Sequence, residues 1–172
     1  MPVNADRPAV AFRAVNRRGE PGHVPGLQRH HLLPLQVLSA SGLWRMVNAL
    51  GAPALGMHDF RRNGLLLPAG EAGALRMGLP LHRGPHRSYN AVVLERCGQI
   101  EAGWSRGRTA IPVAARVEAL MRLDLLQRAL RRRFLDPARR SDRPLNRRDP
   151  ALDFSHLDAM AEALWAGTGE GL

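Results

Sequence analysis

The sequence predicts an α+β fold, mostly helical, with two short strand-like segments in its first half and helices dominating the C-terminal third. Three observations carry this. Apolar residues make up 45% of the 172 positions but aromatics only 5%, so the core must be built from Leu, Ala, Val and Met, which favours helices over a β-sandwich. Long alternating runs of Val, Ile, Thr and Tyr are missing. The last third carries apolar residues at near-helical spacing.

Taken in order, residues 1–26 hold Pro2, Pro8, Pro21 and Pro25 with Arg17-Arg18 and read as an extended basic arm, either solvated or laid along a phosphate backbone. Residues 27–33 are short enough for one strand. Residues 35–50 read as a helix, with Val37, Leu38, Trp44, Met46, Val47 and Leu50 on one face, and Gly51-Ala52-Pro53 stops it. Residues 59–68 read as a strand or tight hairpin with Leu65-Leu66-Leu67 as a buried edge. Residues 69–80, rich in Gly and Ala, read as a loop. Gly84-Pro85 marks a helix start, since proline suits the first helical position, and that helix is expected to reach Cys97 and end before Gly98.

Pro112 opens a long amphipathic helix with Val113, Val117, Leu120, Leu123, Leu126, Leu130 and Phe134 as its apolar stripe. Arg131-Arg132-Arg133 complements the dipole at its end. Residues 136–150 read as a Pro/Arg-rich linker and residues 154–165 as a short final helix. The expected organisation is an arm over 1–26, a core over 27–98 and a helical C-terminal extension over 99–172 that packs on the core.

The formal net charge is +10, and all 25 basic residues are Arg. Genome composition explains Arg in place of Lys but not the excess of base over acid. Such a chain attracts polyanions, nucleic acid above all. Aromatics are too few to support base stacking on a single-strand platform, so binding through phosphates is expected. The single cysteine, Cys97, excludes an intrachain disulfide and a multi-thiolate zinc site and reads as a buried apolar filler. No window approaches about 18 uninterrupted apolar residues, so no membrane partner is expected. The first 18 residues lack the apolar core of a secretory signal. A cytoplasmic location as made is expected, with export as an effector left open.

The histidines carry the chemistry. His30 and His31 lie on an extended segment, where neighbouring side chains point to opposite faces. One can therefore face a metal while the other, with a pKa near ~6.5, serves as a general base. His82 and His86 are spaced to present two ligands to one ion from a helix, although Gly84-Pro85 would set His82 just before that helix. His86 and Asn90 share the same spacing, which makes Asn90 a candidate additional ligand or a residue supporting one. Asn63-Gly64 on its own is a turn signal. His23, His58 and His156 read as incidental, and His58-Asp59 could orient a ligand from outside.

Three stretches together resemble one known family. Gln28-Arg29-His30-His31-Leu32-Leu33-Pro34 resembles the first strand of the ββα-metal (His-Me finger, HNH/endonuclease VII) nucleases, in the branch named for its AHH motif. Arg62-Asn63-Gly64-Leu65-Leu66-Leu67-Pro68 resembles the second strand, and Leu81-His82-Arg83-Gly84-Pro85-His86-Arg87-Ser88-Tyr89-Asn90 the start of the metal-binding helix. The resemblance implies a ββα-metal core and a metal-dependent endonuclease that hydrolyses phosphodiester bonds of DNA or RNA. His30, His82 and His86 would be metal ligands, His31 the base that activates water, and Asn63 the brace of the loop. Arg29 stands where the branch's name has Ala. Arg29, Arg83 and Arg87 are candidates to clamp phosphates. The cofactor would be one divalent ion, Mg, Mn, Zn or Ni.

Nucleases resembling this branch are often toxin modules of large secreted proteins, and the roles left open for the C-terminal helices are to bind a protein inhibitor, to pack on the core or to mediate a homodimer. The alternative is a non-enzymatic nucleic-acid-binding module with a structural zinc, whose closed four-ligand shell would have to include His31.

Overall fold

The computed structural model describes residues 7–82 and 86–136. Arg83, the expected Gly84-Pro85 helix start, and the linker and final helix expected beyond residue 136 lie outside the described residues. The fold is α+β: one antiparallel hairpin of β1 (Leu27–His31) and β2 (Gly64–Pro68), covered by helices. The register pairs His30 with Leu65 and His31 with Gly64. His30 is buried and His31 half-buried, so the two imidazoles face different surroundings.

Between the strands lie four short helices: α1 (Gln36–Ser39), α2 (Trp44–Leu50), α3 (Ala52–Leu55) and α4 (Phe60–Asn63). The single helix expected over 35–50 is therefore two. Ala40 leaves α1 with extended backbone, and Ser41-Gly42 turns the chain so that Val37 of α1 and Met46, Val47 and Leu50 of α2 all reach the core. The strand expected from residue 59 begins only at Gly64. Asp59 caps α4 by accepting the Arg61 amide at 3.0 Å, which starts a helical turn instead.

The loop expected over 69–80 contains helix α5 (Glu71–Met77). Two of its three glycines fall at the ends, where they help: Gly70 precedes the first turn and Gly78, at φ 61°, closes the last, while Gly73 lies inside the helix.

Two long helices complete the fold. α6 (Arg87–Gly107) starts two residues after the expected Gly84-Pro85 and runs through Gly98 to Gly107. One glycine inside a helix costs about 1 kcal/mol, and the continuing buried row Tyr89, Val93, Cys97, Ile100 and Trp104 outweighs it. α7 (Pro112–Leu135) starts at Pro112 as expected, but its buried face is rotated. Val113 and Val117 are 76% and 61% exposed, while Ala115, Ala119, Leu123, Gln127, Leu130 and Phe134 face inward. Small residues decide this. A Cβ on Gly107 would lie 3.2 Å from that of Ala115, so α6 and α7 approach more closely than valines would allow.

The segment expected as an arm is docked over its described part. Val10 donates its amide to Asp59 Oδ1 at 3.0 Å and accepts the Phe60 amide at 2.7 Å, and Asn16 holds the Val24 and Leu27 backbone. Arginines fasten the helices. Arg116 donates to the carbonyls of Ala49 and Leu50 at the end of α2, and Arg131 to those of Arg61 and Gly64. Among the described residues, no helix is long and apolar enough to cross a membrane.

Candidate metal centre

Three elements bring three imidazoles together. β1 supplies His30, the segment after α5 supplies His82, and the position capping α6 supplies His86. One ligand atom from each lies within 4.8 Å of the others. His82 is fixed by its amide, which donates to the Pro68 carbonyl at 2.7 Å beside the end of β2. His86 was expected inside the helix. It is instead the residue just before it, its carbonyl accepting the Asn90 amide at 2.8 Å. A cap position leaves the side chain free to turn back toward His82, and those two ring centroids are 4.5 Å apart.

The donor set fits a metal. His30 Nε2 and His86 Nδ1 are buried and have no hydrogen-bond partner among the described residues, a costly state that an ion would relieve. Burial, then the neighbouring His82, His86 and His31, holds the His30 pKa well below 6.5. Burial, then His86, brings that of His82 to about 4, and burial lowers that of His86. All three are therefore neutral at physiological pH, the form that ligates. His82 Nδ1 lies 2.9 Å from Gln28 Oε1. An amide oxygen only accepts, so Nδ1 carries the proton and Nε2 keeps its lone pair for an ion. Phe134 and Tyr89 close the floor under His30, each with its ring centroid 5.1 Å from the imidazole.

His31 is outside this group. Its ring stacks on Phe12, with centroids 3.8 Å apart and planes 5° from parallel, and Phe12 meets Phe60 edge-on. Burial, then His58 and Arg29, lowers its pKa from 6.5.

Asn63 is wholly buried at the end of α4. Its Oδ1 accepts the Leu33 amide at 2.7 Å and its Nδ2 donates to the carbonyls of Leu33 and Met57, tying the turn after β1 to the start of β2. Gly64 is there for space rather than for a turn, since a Cβ would lie 2.2 Å from Phe60 Cδ2. Arg29 is exposed and donates to the Phe12 carbonyl at 2.9 Å, Arg87 is exposed at the start of α6, and Asn90 Nδ2 donates to Gln36 Oε1 at 3.1 Å. Cys97 is buried, its thiol pushed up to about 12 by that burial.

A family model, described as a nuclease family of the HNH/ENDO VII superfamily with conserved AHH, matches residues 11–122, more than half of the chain. The chain belongs to the AHH nuclease family. Comparison with curated proteins and with solved structures gives no match. The AHH match begins one residue before Phe12 and so includes the segment stacked on His31. Its substrate class is nucleic acid and its reaction class hydrolysis. In this AHH protein Arg29 occupies the first position of the motif, and because that strand position faces solvent the long side chain is accommodated.

Several residues that shape the site went unread in the sequence. Gln28 had a signal, since it lies two before His30 and so on the same face of β1. Phe12 had none, because it reaches the site only through packing, and Gln127 had none, because its hydrogen bond to Asn63 Oδ1 at 3.3 Å joins residues far apart in sequence. Phe134 was read only as part of the apolar stripe of α7.

Proposed function

We propose that this AHH-family protein is a metal-dependent endonuclease acting on DNA, with one divalent ion held by His30, His82 and His86 and with His31 as general base. The observation that carries this reading is the division of labour in the histidines. Three converge, two of them (His30 and His86) with a buried nitrogen that has no partner among the described residues, while the fourth sits on the next strand residue outside the group.

His31 accepts a proton from water on a ring nitrogen as the water oxygen bonds to phosphorus, and the bond to the 3′-oxygen breaks on the opposite side. That oxygen keeps the electron pair and takes a proton from solvent to become the 3′-hydroxyl. Phe12 covers one face of the imidazole, which fixes its plane and leaves the ring edge open. Asn63 braces the turn just after His31. When bound, a divalent ion offsets the negative charge that develops on the phosphate oxygens. Arg87, Arg83 and Arg29 supply cationic groups for neighbouring phosphates. Three imidazoles without His31 leave room for substrate, which favours this reading over a closed structural-zinc shell.

The test is plasmid nicking by the purified protein with EDTA and with Mg, Mn, Ni or Zn restored, beside His31→Ala and an RNA substrate. The expected result is metal-dependent DNA cleavage that His31→Ala abolishes while metal still binds. Absent cleavage with every metal, together with stoichiometric tight zinc, would establish the structural-zinc module instead.

A further inference from the structure

Two indoles converge on an open groove of about 460 Å³, formed by one side of α2 from Trp44 to Leu50, the C-terminal end of α6 and the start of α7. Trp44, 51% exposed, lies on one side, and Trp104, buried but for one edge, on the other. Arg45, Asn48, Arg108 and Arg116 share the lining, and among the described residues no carboxylate does. Arg108 sits over the Trp104 ring, its guanidinium carbon 5.4 Å from the centroid. Arg116 is spent on the α2 carbonyls and contributes a fixed positive charge. Arg45 and Asn48 have no hydrogen-bond or ion-pair partner among the described residues.

This is a site with a flat aromatic wall, a cationic rim and a size within the usual range for small-ligand pockets. We propose that it holds an unpaired nucleotide of the nucleic-acid substrate, the base stacked on Trp44 and the phosphate met by Arg45 and Arg108. A π-face recognises any base and guanidinium groups recognise the phosphate. An exposed indole beside three arginines with no acid fits an aromatic anion better than an apolar peptide, which would leave the guanidinium charges uncompensated. The groove is separate from the metal centre: Trp104 and His86 are 18 residues apart along α6, about 27 Å at the helical rise. The proposal rests on the nucleic-acid substrate class of the family, and not on the assignment of metal ligands or base.

The test is fluorescence anisotropy of a labelled single-stranded DNA octamer titrated with the full chain in EDTA, where no metal-dependent cleavage occurs. Trp44→Ala is expected to weaken binding about tenfold, Trp44→Phe to recover most of it, and Arg45→Ala with Arg108→Ala to weaken it and flatten its salt dependence. Metal-dependent nicking of plasmid by the unsubstituted protein, measured beside the titration, separates failure here from failure of the nuclease reading. Unchanged octamer affinity in a folded Trp44→Ala overturns the proposal. So does a Trp44→Ala protein that loses only self-association on gel filtration, which would make the groove a contact between copies of the chain.

Discussion

Phe12 lies flat against His31, 3.8 Å between ring centroids, and the Phe12 carbonyl is held at 2.9 Å by Arg29, the residue two before that histidine. The N-terminal segment is thus fastened to the strand that carries the proposed base and fixes the plane of its ring. Phe12→Ala is expected to lower kcat about ten- to a hundredfold through a misplaced base, with metal binding unchanged and Phe12→Tyr close to the parent. A kcat unchanged in Phe12→Ala would show that the stack does not position His31.

Asn63→Ala should act first on stability. It leaves the Leu33 amide and the carbonyls of Leu33 and Met57 without their buried partner, and each such loss costs about 1–3 kcal/mol. Urea unfolding should show a drop of at least about 3 kcal/mol. A drop below about 1 kcal/mol, or within the error of the midpoint, would mean that water enters and replaces the amide.

Gly64→Ala tests the space beside the base. The new methyl would collide with Phe60, which in turn meets Phe12. A destabilisation of about 1–3 kcal/mol is expected, and pairing the change with Phe60→Leu should restore part of it. No recovery in the double variant would place the strain in the β1–β2 ladder instead.

The metal-free protein should lose stability on mild acidification. His30, His82 and His86 all have folded pKa values below 6.5, with His82 at about 4. The unfolded chain therefore binds more protons below pH 6.5, and stability falls as pH drops from about 6.5 toward 4. Above that window these groups contribute no slope. Unfolding in EDTA across pH 4–8 measures this, and a flat profile through pH 5 would contradict the packed three-histidine cluster.

Much of the site was legible because its chemistry is local. The His pair, Asn63-Gly64 and the spaced His82 and His86 could be read as one metal-and-base constellation, and strand alternation required that His30 and His31 part company. Alternation does not say which of the two faces the core. That was decided by Phe134 and Tyr89 packing on His30 and by Phe12 packing on His31.

The same division holds for the whole chain. Helical period, Pro112 and the shortage of β-branched runs determined an α+β chain rich in helix, because those signals depend on each residue's own backbone preferences. Periodicity also indicated a stripe on α7, yet the tertiary structure turned the helix so that Ala115 and Ala119 face inward, because close contact with Gly107 and the rest of α6 outweighs the burial of Val113 and Val117. The continuation of α6 through Gly98 and the convergence of Trp44 with Trp104 belong to the tertiary structure for the same reason. They are fixed by contacts between residues far apart in sequence, which no local pattern encodes.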